Sequence, residues 1–370
     1  MKTVTLSIKY ILCILLSVCI ISTFFVGCST NREWAITSFN SSSLYSTDFV
    51  YHDGTVYYWS GDFFQKGIYS CDTNTGETRM CITFPDDEDI GGYSDYGGVK
   101  PYLNYLNGYL YYVFNNTIYV YDCASEEIKK LFVLDAHSIE DTSISLKDAE
   151  DSYGISFLYV NSDYLVFACD FAVFKLNLNG SSLKVIFNSL EQTDQYIDCI
   201  TANENKLTVT YNISDFDSII SQPAIKNAFI DTDSGNVELR YNDDMLAEYN
   251  CYFFGDYEIR QNFFTAEKLG IFYNGEKVGE FGDSGDNMML NVCNNEFYYF
   301  DSDKGYNTFY KVNEQGNRET VFALDEFSDF ISLQSDGIAV CTSYPDYTNH
   351  DYTSNPDKRE FKIYNLKNYS

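Results

Sequence analysis

The sequence predicts an all-β fold, a β-propeller of seven four-stranded blades with six or eight as the alternatives, closed by an N-terminal strand. Two observations predict it. An aromatic and β-branched motif returns seven times at intervals of 38 to 55 residues, and helical periodicity is nearly absent. A repeated four-stranded unit of this length is the sequence mark of a propeller blade, a small twisted sheet that must bury both faces against its neighbours.

The repeats run through the chain in order. The motif strand is Thr55-Val56-Tyr57-Tyr58, then Tyr109-Leu110-Tyr111-Tyr112, Tyr164-Leu165-Val166-Phe167, Lys206-Leu207-Thr208-Val209, Tyr257-Glu258-Ile259, Glu296-Phe297-Tyr298-Tyr299 and Ile338-Ala339-Val340. Each has a partner: Ile68-Tyr69, Ile118-Tyr119, Val173-Phe174, Phe229-Ile230, Ile271-Phe272, Phe309-Tyr310 and Ile363-Tyr364. After six of these partners comes a turn, such as Asn74-Thr75-Gly76 or Asn274-Gly275, built from residues that accept positive φ at little steric cost. The seventh unit stops near Tyr364, too early for its own outer strand. The segment Trp34 to Phe39 precedes the first unit, and it is expected to fill that place and leave no open edge.

Ahead of the repeats, residues 1–27 have the form of an export signal. Lys2 and Lys9 precede an apolar run from Tyr10 to Val26, and no acidic residue occurs before Glu33. The run ends in Gly27-Cys28, which resembles the lipobox of bacterial lipoproteins. That resemblance implies a diacylglyceryl group on the Cys28 thiol, cleavage before Cys28, and a stable hold at the outer face of the cytoplasmic membrane. Residues 28–33 are then a short tether, and residues 34–370 a single propeller domain. At about 3.5 Å per extended residue, the tether holds the propeller within roughly 20 Å of the bilayer.

The copies Tyr57-Tyr58-Trp59-Ser60 and Tyr298-Tyr299-Phe300-Asp301 resemble degenerate forms of the Tyr-Trp-Thr-Asp repeat of low-density-lipoprotein-receptor propellers. With the lipobox ahead of it, the chain is similar to clostridial lipoproteins that carry such a propeller. What this implies is a binding or scaffolding module with no catalytic residues to carry over.

Charge narrows the partners. The formal net charge is −30, with 54 acidic against 24 basic residues, which argues against nucleic acid and against docking on anionic lipid. With 34 Tyr and 29 Phe the chain is far from the composition of a disordered acidic tail. Eight cysteines remain after Cys13, Cys19 and Cys28, each set in or beside a strand-like run with no close pair. They are expected to be buried thiols rather than zinc ligands or disulfides.

No motif for a cofactor is present, and the three histidines, His52, His137 and His350, lie far apart. The chain is therefore expected not to be an enzyme. The alternative is a carbohydrate-active enzyme using two funnel carboxylates, and a further one is a structural subunit of an envelope assembly. Asp231-Thr232-Asp233-Ser234-Gly235 and Asp301-Ser302-Asp303-Lys304-Gly305 space oxygen ligands as a calcium loop does. Both fall between strands, where these are ordinary turn residues, and no metal is expected. The run Asp86 to Asp89 reads as a solvated loop. Two Tyr-rich segments are candidate ligand-binding loops: Ile90 to Tyr102, with Tyr93 and Tyr96, and Tyr344 to Tyr352, with Tyr344 and Tyr347. Tyr among Gly, Ser and Asn is the composition that recognition loops use. The expected partner is a protein or glycan outside the cell, and the membrane is engaged through the lipid on Cys28.

Overall fold

The computed structural model describes residues 32–37, 49–60, 67–84, 102–114, 116–139, 154–189, 197–211, 225–241, 249–262, 269–281, 288–293, 295–301, 307–324, 330–343 and 360–369. The regular structure is antiparallel sheet, with a 3-10 turn at Leu366–Tyr369. Six sheets carry a complete set of four sequential strands, and a seventh has three. The first sheet is Phe49–His52, Thr55–Ser60, Gly67–Asp72 and Thr78–Thr83. The others span 104–133, 157–188, 197–241, 249–281, 288–324 and, with three strands, 330–365. Each sheet is an up-and-down meander in which sequence neighbours pair.

Both faces of each sheet are apolar because each packs between two others. Ile68, Ile82 and Tyr57 of the first sheet meet Leu110, Tyr112 and Phe114 of the second. Phe167 and Phe174 of the third are buried with Val113 and Ile118 of the second. The third sheet packs on the fourth through Val166, Val173, Leu207 and Val209. Between the fourth and fifth, Phe229 meets Phe253 edge-on, 5.1 Å between ring centroids. Clusters around Ile259 with Phe297, and Phe309 with Ala339, join the fifth to the sixth and the sixth to the seventh. Finally Phe49, Val56 and Tyr58 of the first sheet pack on Val340 and Phe361 of the last, and the ring is closed by side-chain packing.

That closure corrects one expectation. The N-terminal strand does not complete the seventh sheet. It is short, Ile36–Thr37, and pairs antiparallel with the innermost strand of the second sheet, Asn104–Leu106, with Ile36 opposite Tyr105. Before it, Ala35 N donates to Val160 O at 2.9 Å and Trp34 stacks on Tyr159 of the third sheet at 5.0 Å. After it, Ser335 N of the seventh sheet donates to Thr37 O at 3.0 Å. The free edge it uses is the inner one, so the segment lies along the centre of the ring and ties three sheets together.

Two local devices recur. In the two-residue turns Asp53-Gly54, Asn107-Gly108 and Asn274-Gly275 both residues have positive φ, the geometry whose twist matches that of the flanking strands. In five sheets the outer strand carries a bulge beside the aromatic partner motif. The register shifts at Ile68/Tyr69, Ile118/Tyr119, Val173/Phe174, Ile271/Phe272 and Phe309/Tyr310. One residue of each outer strand, such as Leu131 or Val278, is left without a pair, and the sheet gains twist there. The next sheet exploits this: the backbone at Gly180 closes on the Leu131 carbonyl, and a Cβ on Gly316 would lie 2.7 Å from that of Val278.

Candidate functional site

The two faces of the ring differ, and the difference locates the candidate site. On one face every sheet turns tightly between its first and second strands, and the six sheets with a fourth strand turn again between third and fourth; we call it the turn face. On the opposite, loop face the second strand passes to the third and each sheet to the next. Here the long connections fall, at 84–103, 134–156, 212–224 and 344–359.

The turn face is closed by its own hydrogen bonds. Asp72 Oδ1 accepts from the backbone N–H of Asn74 at 2.8 Å and Thr75 at 3.0 Å. Asp122 does the same with Ala124 and Ser125. Asp231 accepts from Ser234 N at 2.8 Å, Asp233 N at 3.0 Å and Ser234 Oγ at 3.0 Å. These donors hold all three carboxyls below the usual carboxylate range, the Thr75, Ala124 and Ser234 N–H groups respectively contributing most. The calcium-like spacing at Asp231–Gly235 is thus a turn in which an N–H cradle occupies the Asp231 oxygen that a cation would need. Most of the second such stretch, 302–305, lies outside the described residues.

Contacts between neighbouring turns knit this face further. Arg79 pairs with Glu126 across the first and second sheets. Tyr164 OH of the third is hydrogen-bonded to Thr232 Oγ1 at 2.7 Å and donates to Asp233 Oδ1 at 2.8 Å, while Lys175 Nζ donates to Thr232 O at 2.7 Å. Tyr257 OH donates to Asn295 O at 2.9 Å. His52 stacks on Tyr105 at 4.2 Å at the turn face, whereas His137 follows the outer strand of the second sheet at the loop face. The structure therefore does not bring these two histidines together, and His350 lies outside the described residues.

So do Cys28, Tyr93, Tyr96, Tyr344, Tyr347 and the acidic run at 86–89. Among the described residues the cysteines Cys71, Cys169, Cys251 and Cys341 are buried, and Cys81, Cys123 and Cys293 half-buried. Burial pushes the Cys169 thiol up to about 12 and raises Cys123 as well, the opposite of what a reactive thiolate needs. Tyr57 and Tyr112 are likewise pushed up by burial. No group of three His, Cys, Asp or Glu able to hold a metal occurs among the described residues, and no helix among them is long and apolar enough to cross a membrane.

One loop-face residue escaped the sequence reading. Asp170 stands at the turn Asp170-Phe171, between strands Tyr164–Cys169 and Ala172–Asn177. Its carbonyl accepts from Ile197 N of the fourth sheet at 2.6 Å, and burial raises its carboxyl above the usual range. Desolvation favours the protonated carboxyl, a form that can donate a hydrogen bond. The signal was a lone acid within the apolar stretch from Tyr164 to Leu176. A second raised carboxyl, Asp336, is on the turn face, where burial outweighs the N–H of Ile338, Lys367 and His52.

No family model matches the sequence, and no curated protein does. Solved structures show likeness over nearly the whole chain. An oligogalacturonate lyase of Vibrio parahaemolyticus is 11% identical with a TM-score of 0.50, covering 91% of this chain and 92% of its own. An oligogalacturonate lyase in complex with manganese has a TM-score of 0.44 at 10% identity, over 84% of this chain and 94% of its own. The extracellular domain of a one component system from B. thetaiotaomicron has 0.43 at 11%, over 85% of this chain and 37% of its own. The expectation that the chain is not an enzyme is corrected by the likeness to the Vibrio parahaemolyticus protein: a lyase stands among the solved folds that resemble it, so the fold gives no ground for excluding catalysis. The ring of four-stranded meanders and the likeness to that one structure agree on the fold alone, and the chain is a β-propeller.

Proposed function

We propose that this chain is an exported lipoprotein, anchored to the outer face of the cytoplasmic membrane by lipid on Cys28, whose propeller binds a protein or glycan through its loop face. The observation that carries the binding site is the asymmetry of the ring. The turns on one face are short, and those at Asp72, Asp122 and Asp231 are closed by carboxylate–N–H hydrogen bonds, while the long connections, with Tyr93, Tyr96, Tyr344 and Tyr347 in their sequence, all join strands at the other. Long connections on a rigid scaffold are where recognition residues concentrate. Asp170 adds a carboxyl to that face, available for binding or for proton transfer.

The net charge of −30 disfavours a polyanionic ligand such as oligogalacturonate, so a neutral or cationic partner is favoured. The test is recovery of partners from membranes and from a glycan array with residues 29–370 as bait, beside a variant with Tyr93, Tyr96, Tyr344 and Tyr347 changed to Ser. Binding lost in that variant is the expected result; binding equal to the parent would move the site off these loops. For the anchor, palmitate labelling is expected to vanish in Cys28→Ala, and labelling that persists would refute Cys28 as the acceptor.

A further inference from the structure

We infer that the ring stands on the membrane with its turn face toward the bilayer and its loop face outward. The inference rests on the lipid-anchor reading and adds a direction to it. Ile36–Thr37 runs antiparallel to Asn104–Leu106, with Ile36 opposite Tyr105 and Thr37 opposite Asn104. Asn104–Leu106 runs toward the tight turn at Asn107-Gly108, so the N-terminal segment enters the ring at the turn face and runs toward the loop face. Trp34, bridged to Asn161 beside another tight turn, marks the entry.

Only six residue steps separate Trp34 from Cys28, so the attachment point lies within roughly 20 Å of the entry at about 3.5 Å per residue. The segment is held against peeling outward. Trp34 stacks on Tyr159, Ala35 N bonds Val160 O, Thr37 Oγ1 donates to Leu103 O at 3.0 Å, and Ser335 Oγ donates to Ala35 O at 3.2 Å. The tether therefore keeps its length. The turn face also carries the acidic positions Asp72, Asp122, Asp231 and Asp233. Anionic lipid repels them within a Debye length of about 8–10 Å, so this face stands off the headgroups rather than adsorbing to them. Six-residue strands at about 3.3 Å per residue put the loop face some 20 Å further out.

The experiment places an alkyne-bearing amino acid, one at a time, at Asn74 on the turn face and Ala136 on the loop face of the full chain. Each is labelled with a donor dye in isolated membranes doped with an acceptor-labelled lipid. Energy transfer roughly two-fold higher from position 74 is expected for a height difference of about 20 Å. Equal transfer, or more from position 136, overturns the inference. A twenty-residue Gly/Ser insert between Glu33 and Trp34, with a span of about 25 Å, is expected to abolish the difference. A difference that survives the insert overturns the tether as its cause. In Cys28→Ala the signal is expected to disappear with the membrane fraction. If that variant stays palmitoylated and membrane-bound, the anchor reading fails, an outcome separate from a wrong orientation with Cys28 lipidated.

Discussion

The ring closes where Phe49 of the first sheet is buried against Phe361 and Tyr58, at centroid distances of 5.6 and 6.4 Å. Phe49 is fully buried, as is Val340 across the junction. Removing a buried phenylalanine costs about 3–5 kcal/mol. With an unfolding entropy of about 2.1 cal/mol/K per residue, a ring of this length loses about 0.7 kcal/mol for each degree, so Phe49→Ala lowers Tm by about 4–7 °C. Phe174→Ala is the yardstick: it removes an equally buried ring, stacked on Phe167 at 4.9 Å in an interface far from the junction. Calorimetry on residues 29–370 compares the two. Similar losses are expected. A loss of about 1 °C or less for Phe49→Ala beside the full loss for Phe174→Ala would show that the first and last sheets are not packed, because surface changes are worth about 0.5 kcal/mol.

Other consequences concern single positions. Gly180→Ala and Gly275→Ala both force a Cβ onto positive φ, but only Gly180 faces a carbonyl, that of Leu131, while nothing lies within 4 Å of Gly275. Gly275→Ala is expected to cost about 1 kcal/mol and Gly180→Ala measurably more in urea midpoints; equal costs would refute the close approach. Asp170 has a raised carboxyl in the folded protein, so its charge costs stability above the folded pKa and nothing below the ordinary 3.8. Asp170→Asn is thus expected to raise Tm at pH 7, with the gain fading as pH falls toward 4. Asp231 is lowered, and the sign reverses: its contribution is present above 3.8 and lost as pH falls through its folded value. Asp231→Ala should lower Tm at pH 7 and converge with the parent in acid. The same pH trend for both variants would contradict the desolvation and N–H causes.

The seven motif strands are legible because a buried blade must be apolar on both faces, and Val56-Tyr57-Tyr58 or Leu165-Val166-Phe167 fit little else. In the folded chain they are the second strands, with the inner strands Phe49–His52 and Asn104–Leu106 ahead of them. The bulges beside Ile68-Tyr69 and its counterparts leave no mark in composition, since they depend on which outer residue goes unpaired. Trp34 to Thr37 reads equally well as an inner or an outer edge strand. Its place is decided by Ser335 and Val160, far away in sequence, and local pattern carries no such information. Asp170 was missed because one acid between two apolar strands looks like any turn residue until burial is known.

The N-terminal segment also imposes an order of assembly. Thr37 and Ser335 are 298 residues apart, so the hold on the first part of the chain is complete only when the last hairpin exists. Contacts of such sequence separation form late and slow folding. Until then the short N-terminal strand is held on the inner edge of the second sheet without its bonds to Ser335, and a peptide strand supplied in trans could displace it. The protein completes itself from its beginning, and the interval before it does so is when another chain can compete for the seat.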